Sequence, residues 1–163
     1  MKLLLALLVV GLLGGVGYLL VGWEGGSGDL VGPAQVVDAD TLTVAGTRIR
    51  LSGVDAPEAS QTCEREGADW ACGREATAAL RAFLAARQVR CIPEDTDRFG
   101  RVVARCEAGG EDIGAWLVRE GWAVAYTRFT WRYVPQEWLA WWEGRGLWAG
   151  RFVAPEEWRR GER

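Results

Sequence analysis

Alternation of apolar and polar positions is the main pattern of the first half of the chain beyond residue 35. Val36–Val44 and Thr47–Val54 alternate in this way on either side of Ala45-Gly46. A period of two places one face of a strand on a core, and a short break containing glycine is typical of a tight turn. We therefore predict a β-hairpin here. A second hairpin is predicted from Val89–Pro93 and Arg101–Cys106, which flank a polar turn.

Three segments instead repeat their apolar residues at helical spacing, three or four positions apart. The predicted helices cover Gly73–Arg87, Glu111–Gly121 and Pro135–Trp148. Strands followed by a helix, a hairpin and further helices indicate a small α+β domain. Five short strands with about three helices are compatible with a closed β-barrel of the OB (oligonucleotide/oligosaccharide-binding) type.

The N-terminus carries an uninterrupted apolar run. Leu3–Gly22 contains no charged residue, and as a helix it is just long enough to cross a bilayer core of about 30 Å. Lys2 at its start predicts that the following domain faces outward. The alternative is a signal peptide, cleaved near the small residues Gly15-Val16-Gly17. Both interpretations predict export, with the domain either anchored in a membrane and facing the periplasm or exterior, or secreted.

These features divide the chain into three parts. Residues 1–23 form the signal-anchor or signal peptide, Glu24–Pro33 is a glycine-rich flexible tether, and residues 34–163 form one folded domain. A domain of roughly 130 residues can bury a core of its own. We expect it to be a monomer.

Four cysteines agree with an oxidising compartment outside the cytoplasm. They allow three pairings, among which the sequence alone does not choose. Local closure and the second hairpin favour Cys63 with Cys72 and Cys91 with Cys106. A zinc site is the alternative, but the cysteines lack the close spacing of structural zinc ligands and the chain contains no histidine.

The balance of charges argues against a broadly basic surface for nucleic acid. The formal net charge is −3, from 19 Lys and Arg residues against 22 Asp and Glu residues. Lys2 is the only lysine. Any contact with a polyanion would therefore depend on a local cluster of arginines and on a metal ion.

Three short segments hold residues suited to phosphate chemistry. They are Asp38-Ala39-Asp40-Thr41, then Arg50 with Val54-Asp55-Ala56-Pro57-Glu58, and finally Asp97-Arg98-Phe99-Gly100-Arg101. Carboxylates without histidine or free cysteine suit Ca²⁺ or Mg²⁺. A stiff Pro-Glu segment can aim a carboxylate at a water, and a guanidinium can bind two phosphate oxygens at once. Taken singly, these residues are more simply explained as turn-forming aspartates, an exposed loop glutamate and solvent-exposed arginines.

In this order and with these gaps, the three segments resemble the staphylococcal-nuclease (thermonuclease) family, from about Val36 to Tyr126. The resemblance implies an OB-type barrel and a Ca²⁺ cofactor. The implied ligands are the carboxylates of Asp40 and Asp55 and the main-chain carbonyl of Ala56, where the family usually has threonine.

The same resemblance implies the catalytic groups. Glu58 is expected to accept a proton from the attacking water or to orient that water. Arg50 and Arg101 are expected to hold the phosphate while negative charge develops on it. Substrate contacts are implied at Arg98 and Phe99, and also at Tyr126, where the family presents a lysine and tyrosines to the terminal phosphate and the base.

Two functions follow as hypotheses. The first is a calcium-dependent nuclease that hydrolyses phosphodiester bonds of DNA or RNA and leaves 3′-phosphate ends. The second is a non-catalytic OB module, held at the membrane, that binds nucleic acid or a protein. The presence of Arg50, Glu58 and Arg101 together favours the enzyme.

Tryptophan is concentrated in the C-terminal part of the chain, with eight of the ten tryptophans at or after Trp116. Trp138, Trp141 and Trp142 have helical spacing, and we expect them to pack the third predicted helix onto the barrel. Stacking on nucleic-acid bases and a position at a membrane interface are the alternatives. Residues 146–160 are predicted to form a C-terminal strap over the domain.

Overall fold

The computed structural model describes residues 28–162. The predicted membrane segment, residues 1–23, lies outside these residues, as does the first part of the predicted tether. No helix between residues 28 and 162 has both the length and the apolar composition needed to cross a membrane.

A closed barrel of five strands forms the centre of the described part of the chain. The strands of this part are β1 Leu30–Asp38, β2 Thr41–Val44, β3 Thr47–Leu51, β4 Val54–Asp55, β5 Cys63–Arg65, β6 Ala68–Trp70, β7 Gln88–Thr96, β8 Val102–Ala108, β9 Glu111–Asp112 and β10 Val124–Ala125. The barrel has the order β3-β2-β1-β7-β8, and parallel pairing of β3 with β8 closes it. The predicted α+β fold with a five-stranded OB-type barrel is confirmed.

Four α-helices surround the barrel within residues 28–162, against the three or so that the sequence predicts. They are α1 Cys72–Leu84, α2 Ile113–Arg119, α3 Val134–Glu143 and α4 Pro155–Arg159, with a 3-10 helix at Gly146–Ala149. The core is made of apolar side chains from the barrel and from α1 and α2, among them Leu42, Ile49, Leu80, Ile113 and Leu117.

The first predicted strand is divided by a turn. The prediction of one strand over Val36–Val44 is wrong at Ala39 and Asp40, which connect β1 to β2. Asp38 stabilises the turn, because its Oδ1 accepts the Asp40 N–H at 3.1 Å, a bond that aspartate readily makes in turns. Apolar and polar residues alternate on both sides of this turn, so the pattern does not reveal it.

Strand β1 also begins earlier than predicted. Leu30–Pro33, which the sequence analysis assigns to the tether, pair with Gln88–Cys91 of β7. The glycine and proline of this stretch give it the composition of a linker, but its backbone is used to extend the barrel. Pairing with a strand more than fifty positions away leaves no local signal.

Both predicted disulfides are present. Cys91 and Cys106 face each other on β7 and β8, within the core of the barrel. Cys63 and Cys72 join the small β5–β6 hairpin, which the sequence analysis does not predict, to the first residue of α1. All four cysteines are therefore paired.

The third helix is shorter than predicted, and its tryptophans do not pack on the barrel. It ends before Gly144, which adopts the left-handed conformation with φ 62° that commonly terminates a helix. Trp138, Trp141 and Trp142 are 64%, 53% and 76% exposed, so the expectation that they attach the helix to the barrel is wrong. The buried residue of this helix is Ala140.

Candidate active site

Two buried aspartates from different parts of the barrel contact one arginine. Asp40 directly precedes β2 and Asp55 ends β4; they are only 6% and 1% exposed. Arg50 of β3 donates through Nη1 to Asp40 Oδ2 at 2.7 Å and through Nη2 to Asp55 Oδ1 at 3.1 Å. The register of the hairpin explains the first contact, because Arg50 pairs with Thr41, the residue after Asp40.

The segment after Asp55 lies against Asp40. The Ala56 N–H donates to Asp40 Oδ2 at 3.4 Å, and the Ala56 side chain is buried. Ala56 is thus adjacent to both aspartates in space. The role of its carbonyl as a metal ligand stays a prediction.

Glu58 is held mainly through its backbone. Its N–H donates to Gln61 Oε1 at 3.3 Å, and its carbonyl accepts the Gln61 N–H at 2.8 Å. Gly73, at the start of α1, packs so closely on this segment that a Cβ there would overlap the Glu58 carbonyl. The Glu58 side chain is 42% exposed, so its carboxylate lies where the buried cluster meets solvent.

Arg159 of α4 links the side chains of Asp55 and Glu58. Its Nη2 donates to Asp55 Oδ1 and Oδ2 at 2.9 and 3.0 Å, and its Nη1 donates to Glu58 Oε1 at 3.0 Å. Burial alone would lower the pKa of Arg159, but the charge of Asp55 and the hydrogen bonds to both carboxylates outweigh it and raise that pKa.

Burial and charge also shift the pKa values of the buried groups. Burial raises the pKa of Asp55, and the positive charges of Arg159 and Arg50 counter this only in part. The pKa of Asp38 is raised as well, first by burial and then by the negative charge of Asp40. For Arg50, burial would lower the pKa, but the two aspartates raise it.

Arg101 is held by its own turn. Its Nε donates to Asp97 Oδ2 at 2.7 Å, and its backbone N–H donates to Asp97 Oδ1 at 3.0 Å. Because Ile49 pairs with Val102 in the parallel β3–β8 contact, Arg101 directly precedes the strand next to the one that carries Arg50. Its ion pair is nevertheless with Asp97 rather than with the buried aspartates.

The predicted substrate contacts lie in two places. Phe99 is 70% exposed, and the Arg98 guanidinium lies 4.8 Å from the centre of its ring. Tyr126 follows β10, whose Val124 pairs with Asp55. The pKa of Tyr126 is raised by burial and then by nearby carboxylates that include Asp55. Tyr126 is therefore close to the buried cluster, whereas Phe99 and Arg98 belong to the turn before Arg101.

The sequence analysis does not identify two residues of this site, Gln61 and Arg159. Gln61 organises the backbone of Glu58, and Arg159 binds the Asp55 and Glu58 side chains. Arg159 lies 104 positions from Asp55 and 101 from Glu58 and belongs to no motif. The Glu58–Gln61 spacing, by contrast, is typical of a local turn and could have suggested the contact.

The donor set of the cluster fits a hard divalent cation. Between residues 28 and 162, no group of three or more His, Cys, Asp and Glu side chains could hold a metal ion by side chains alone. The predicted set needs two carboxylates, supplemented by a carbonyl and waters, all of them oxygen donors. The cluster has four carboxylates, those of Asp38, Asp40, Asp55 and Glu58, against two guanidinium groups. One divalent cation would neutralise that surplus.

Comparison with known proteins gives several relatives. The succinoglycan biosynthesis protein ExoI of Rhizobium meliloti is 46% identical over 103 residues, which make up 61% of this chain and 54% of ExoI. The probable staphylococcal-like nuclease CAN1 of Oryza sativa is 36% identical over 123 residues, or 71% of this chain and 33% of CAN1. An uncharacterized endonuclease of Haemophilus influenzae is 29% identical over 137 residues, or 79% of this chain and 72% of that protein.

The matches to ExoI and CAN1 each cover more than half of this chain, but only about half of ExoI and a third of CAN1. The sequence profile described as staphylococcal nuclease homologue matches residues 48–149. That region includes Arg50, Asp55, Glu58 and Arg101, and it ends before α4. The chain belongs to the staphylococcal nuclease homologue family.

Proposed function

We propose that this protein is a nuclease that hydrolyses phosphodiester bonds of DNA or RNA with Ca²⁺ as its cofactor. The observation that carries the proposal is the bridge that Arg50 forms between the buried carboxylates of Asp40 and Asp55, with Glu58 beside them. Family membership and the endonuclease name of the H. influenzae relative support it.

The residues that would hold the cation are Asp40 and Asp55, with the carbonyl of Ala56 as a further ligand. Their oxygens match the preference of Ca²⁺, and the surplus of negative charge favours a divalent ion. When bound, the cation would withdraw electron density from a phosphate oxygen and so favour attack at phosphorus.

Glu58 is the residue that we assign to the attacking water. Its carboxylate would accept a proton from that water or orient it for in-line attack. Pro57 restricts the backbone on one side of Glu58, and the hydrogen bonds with Gln61 restrict it on the other. Such restriction keeps the carboxylate close to one position, which is the condition for efficient catalysis by a positioned group.

Arg50 and Arg101 are the groups that we assign to the phosphate. A guanidinium carries more N–H donors than the two that Arg50 uses on the aspartates, so the others would remain for phosphate oxygens. Binding by planar guanidinium groups strengthens as negative charge develops in the transition state. By the family resemblance, cleavage would leave 3′-phosphate ends.

Base and terminal-phosphate contacts would come from the three aromatic and basic residues flanking the site. Phe99 is exposed enough to stack on a base, and Arg98 lies beside it. Tyr126 lies near Asp55. The two disulfides support an oxidising compartment and therefore export; attachment to a membrane through residues 1–23 and a monomeric state are further parts of the proposal.

The test is cleavage of a single-stranded DNA oligonucleotide by the full-length protein. We expect cleavage in Ca²⁺, no cleavage in excess chelator, and no substitution by zinc. Asp40→Asn should raise the calcium concentration needed, because it removes one formal charge from the site; Asp95→Asn, in an exposed position, is the matched control. Full activity in chelator would contradict the calcium assignment. Oligonucleotide binding without any cleavage would favour the non-catalytic OB module.

A further inference from the structure

The C-terminal strap reaches the candidate active site from beyond the region that matches the family. The match ends at residue 149, and residues 151–153 of the strap are then attached to residues 61–64, which precede α1. Glu64 and Arg151 exchange two backbone hydrogen bonds of 2.8 and 2.9 Å. The buried Gln61 donates through Nε2 to the Val153 carbonyl at 2.7 Å. Residues 151–153 are therefore a firm point of attachment.

Beyond this attachment, α4 is a small element. It follows Ala154 and runs only from Pro155 to Arg159, which is too short for a helix to be stable on its own. The ion pair between Arg128 and Glu156, at 3.2 Å, joins it to the domain at an exposed site, where such pairs contribute little. Pro155 is buried and Trp158 is half-buried and takes part in a further interaction, so detachment of α4 while residues 151–153 stay bound would cost these contacts as well as those of Arg159.

Arg159 uses the same oxygen atoms that a metal ion would need. Its Nη2 contacts both carboxylate oxygens of Asp55, whereas Arg50 contacts Oδ1, so Arg159 covers the Asp55 oxygen, Oδ2, to which Arg50 does not bind. Calcium ligands lie at about 2.3–2.6 Å, so an ion bound to Asp55 would come close to the Arg159 guanidinium. Two positive charges at that distance repel each other strongly where the surroundings are partly buried.

We propose that Arg159 competes with Ca²⁺ for Asp55, so that the cation binds only when α4 moves away from the site. This inference rests on the calcium site of the proposed function. Arg159 also binds Glu58, so its departure would release a metal ligand and the proposed catalytic carboxylate together. The strap then acts as a reversible block on the site, and the calcium concentration sets how often the block is removed.

A role as a third phosphate-binding arginine makes different predictions. In that case Arg159 stays in place when the cation binds, and its removal weakens substrate binding without changing the calcium affinity. Competition predicts instead that removal of Arg159 increases the calcium affinity, because the competing positive charge is lost. Calcium affinity measured without substrate therefore separates the two roles.

The experiment is calorimetric titration of the full-length protein with CaCl₂ in the absence of substrate. Arg159→Gln should bind calcium at least about tenfold more tightly than the wild type, because a nearby positive charge is removed. Arg159→Lys keeps the charge but not the two-oxygen contact, and should lie between them. Arg160→Gln removes the neighbouring charge, whose ion pairs are with Glu156 and Glu162, and should bind calcium like the wild type.

Hydrogen exchange of the peptide covering residues 155–160 gives a second readout. Calcium should accelerate exchange there in the wild type, because detached backbone amides lose their protection. Tighter calcium binding by Arg159→Gln together with this acceleration supports the competition. Equal calcium affinities, or slower exchange on calcium addition, would overturn the competition while leaving the calcium site intact. If neither the wild type nor Arg159→Gln binds calcium, the calcium cofactor itself is wrong and the competition falls with it.

Discussion

Asp97 holds Arg101 at two points, since one carboxylate oxygen accepts the Arg101 Nε at 2.7 Å and the other accepts its backbone N–H at 3.0 Å. The Phe99 N–H donates to the same carboxylate at 2.9 Å. Burial alone would raise the pKa of Asp97, but these hydrogen bonds outweigh it and lower that pKa. The turn therefore fixes the direction of Arg101 before any substrate is present.

The first prediction concerns this positioning. Asp97→Asn should lower the rate of DNA cleavage by about tenfold, because an amide cannot accept all three hydrogen bonds and Arg101 then moves more freely. Asp95→Asn, two residues away in an exposed position, should cleave like the wild type. Equal cleavage rates for Asp97→Asn and wild type would show that the turn does not position Arg101 for catalysis.

The second prediction concerns the arginine that bridges the two aspartates. Arg50→Lys keeps the positive charge, but an ammonium cannot span two carboxylates and a phosphate as a planar guanidinium can. We expect turnover to fall on the order of 10²-fold. Arg48→Lys, on the same strand and exposed, is the control and should be unaffected. A turnover within threefold of wild type for Arg50→Lys would remove this residue from the mechanism.

The third prediction concerns the disulfides. Thiol titration of the denatured but unreduced protein should find no free cysteine. Replacing Cys91 and Cys106 together by alanine should lower the free energy of unfolding by roughly 2–4 kcal/mol, because the unfolded chain gains conformational freedom. Four titratable thiols in the purified protein would contradict both the pairing and the inference of export.

The fourth prediction concerns stability at low pH. Glu94 accepts hydrogen bonds from Ser52 and Arg132; burial alone would raise its pKa, but these bonds outweigh it and lower the pKa from 4.5. Because the pKa is lower in the folded state, the stabilisation is fully present at pH values above the pKa of the unfolded state. It is lost as the pH falls through the pKa of the folded state. Glu94→Gln should therefore cost about 0.5–1 kcal/mol at neutral pH.

Chemical denaturation at a series of pH values measures this effect. The difference in unfolding free energy between the wild type and Glu94→Gln should be constant near neutral pH and shrink below about pH 4.5. A difference that is independent of pH would show that the Glu94 carboxylate is not the source of the stabilisation.

The sequence predicts the barrel because apolar and polar residues alternate with a period of two along its long strands, and the burial of their side chains follows the same period. It does not predict the turn at Ala39 and Asp40, since alternation continues through it. Nor does it predict the strands of two or three residues β5, β6 and β10, which are too short to show a period. The packing of the C-terminal tryptophans is predicted wrongly because helical spacing shows that side chains share one face of a helix. It does not show that another element covers that face.

The candidate site is predictable in part. Asp40, Asp55 and Arg50 are local to one hairpin and its following turn, so their proximity follows from strand pairing. Arg159 reaches the same cluster across 104 positions, and its placement depends on how the strap packs on the β5–β6 hairpin. No pattern in the strap itself carries that information.

Glu58 provides the most direct test of the proposed chemistry. Glu58→Gln removes the proton acceptor and keeps the shape, so turnover on single-stranded DNA in saturating Ca²⁺ should fall by about 10²–10⁴ while oligonucleotide binding is retained. Glu107→Gln, whose side chain has nearly the same exposure (43% against 42%), is the matched control and should cleave at the wild-type rate. Cleavage by Glu58→Gln within threefold of the wild type would contradict the nuclease mechanism proposed for this site.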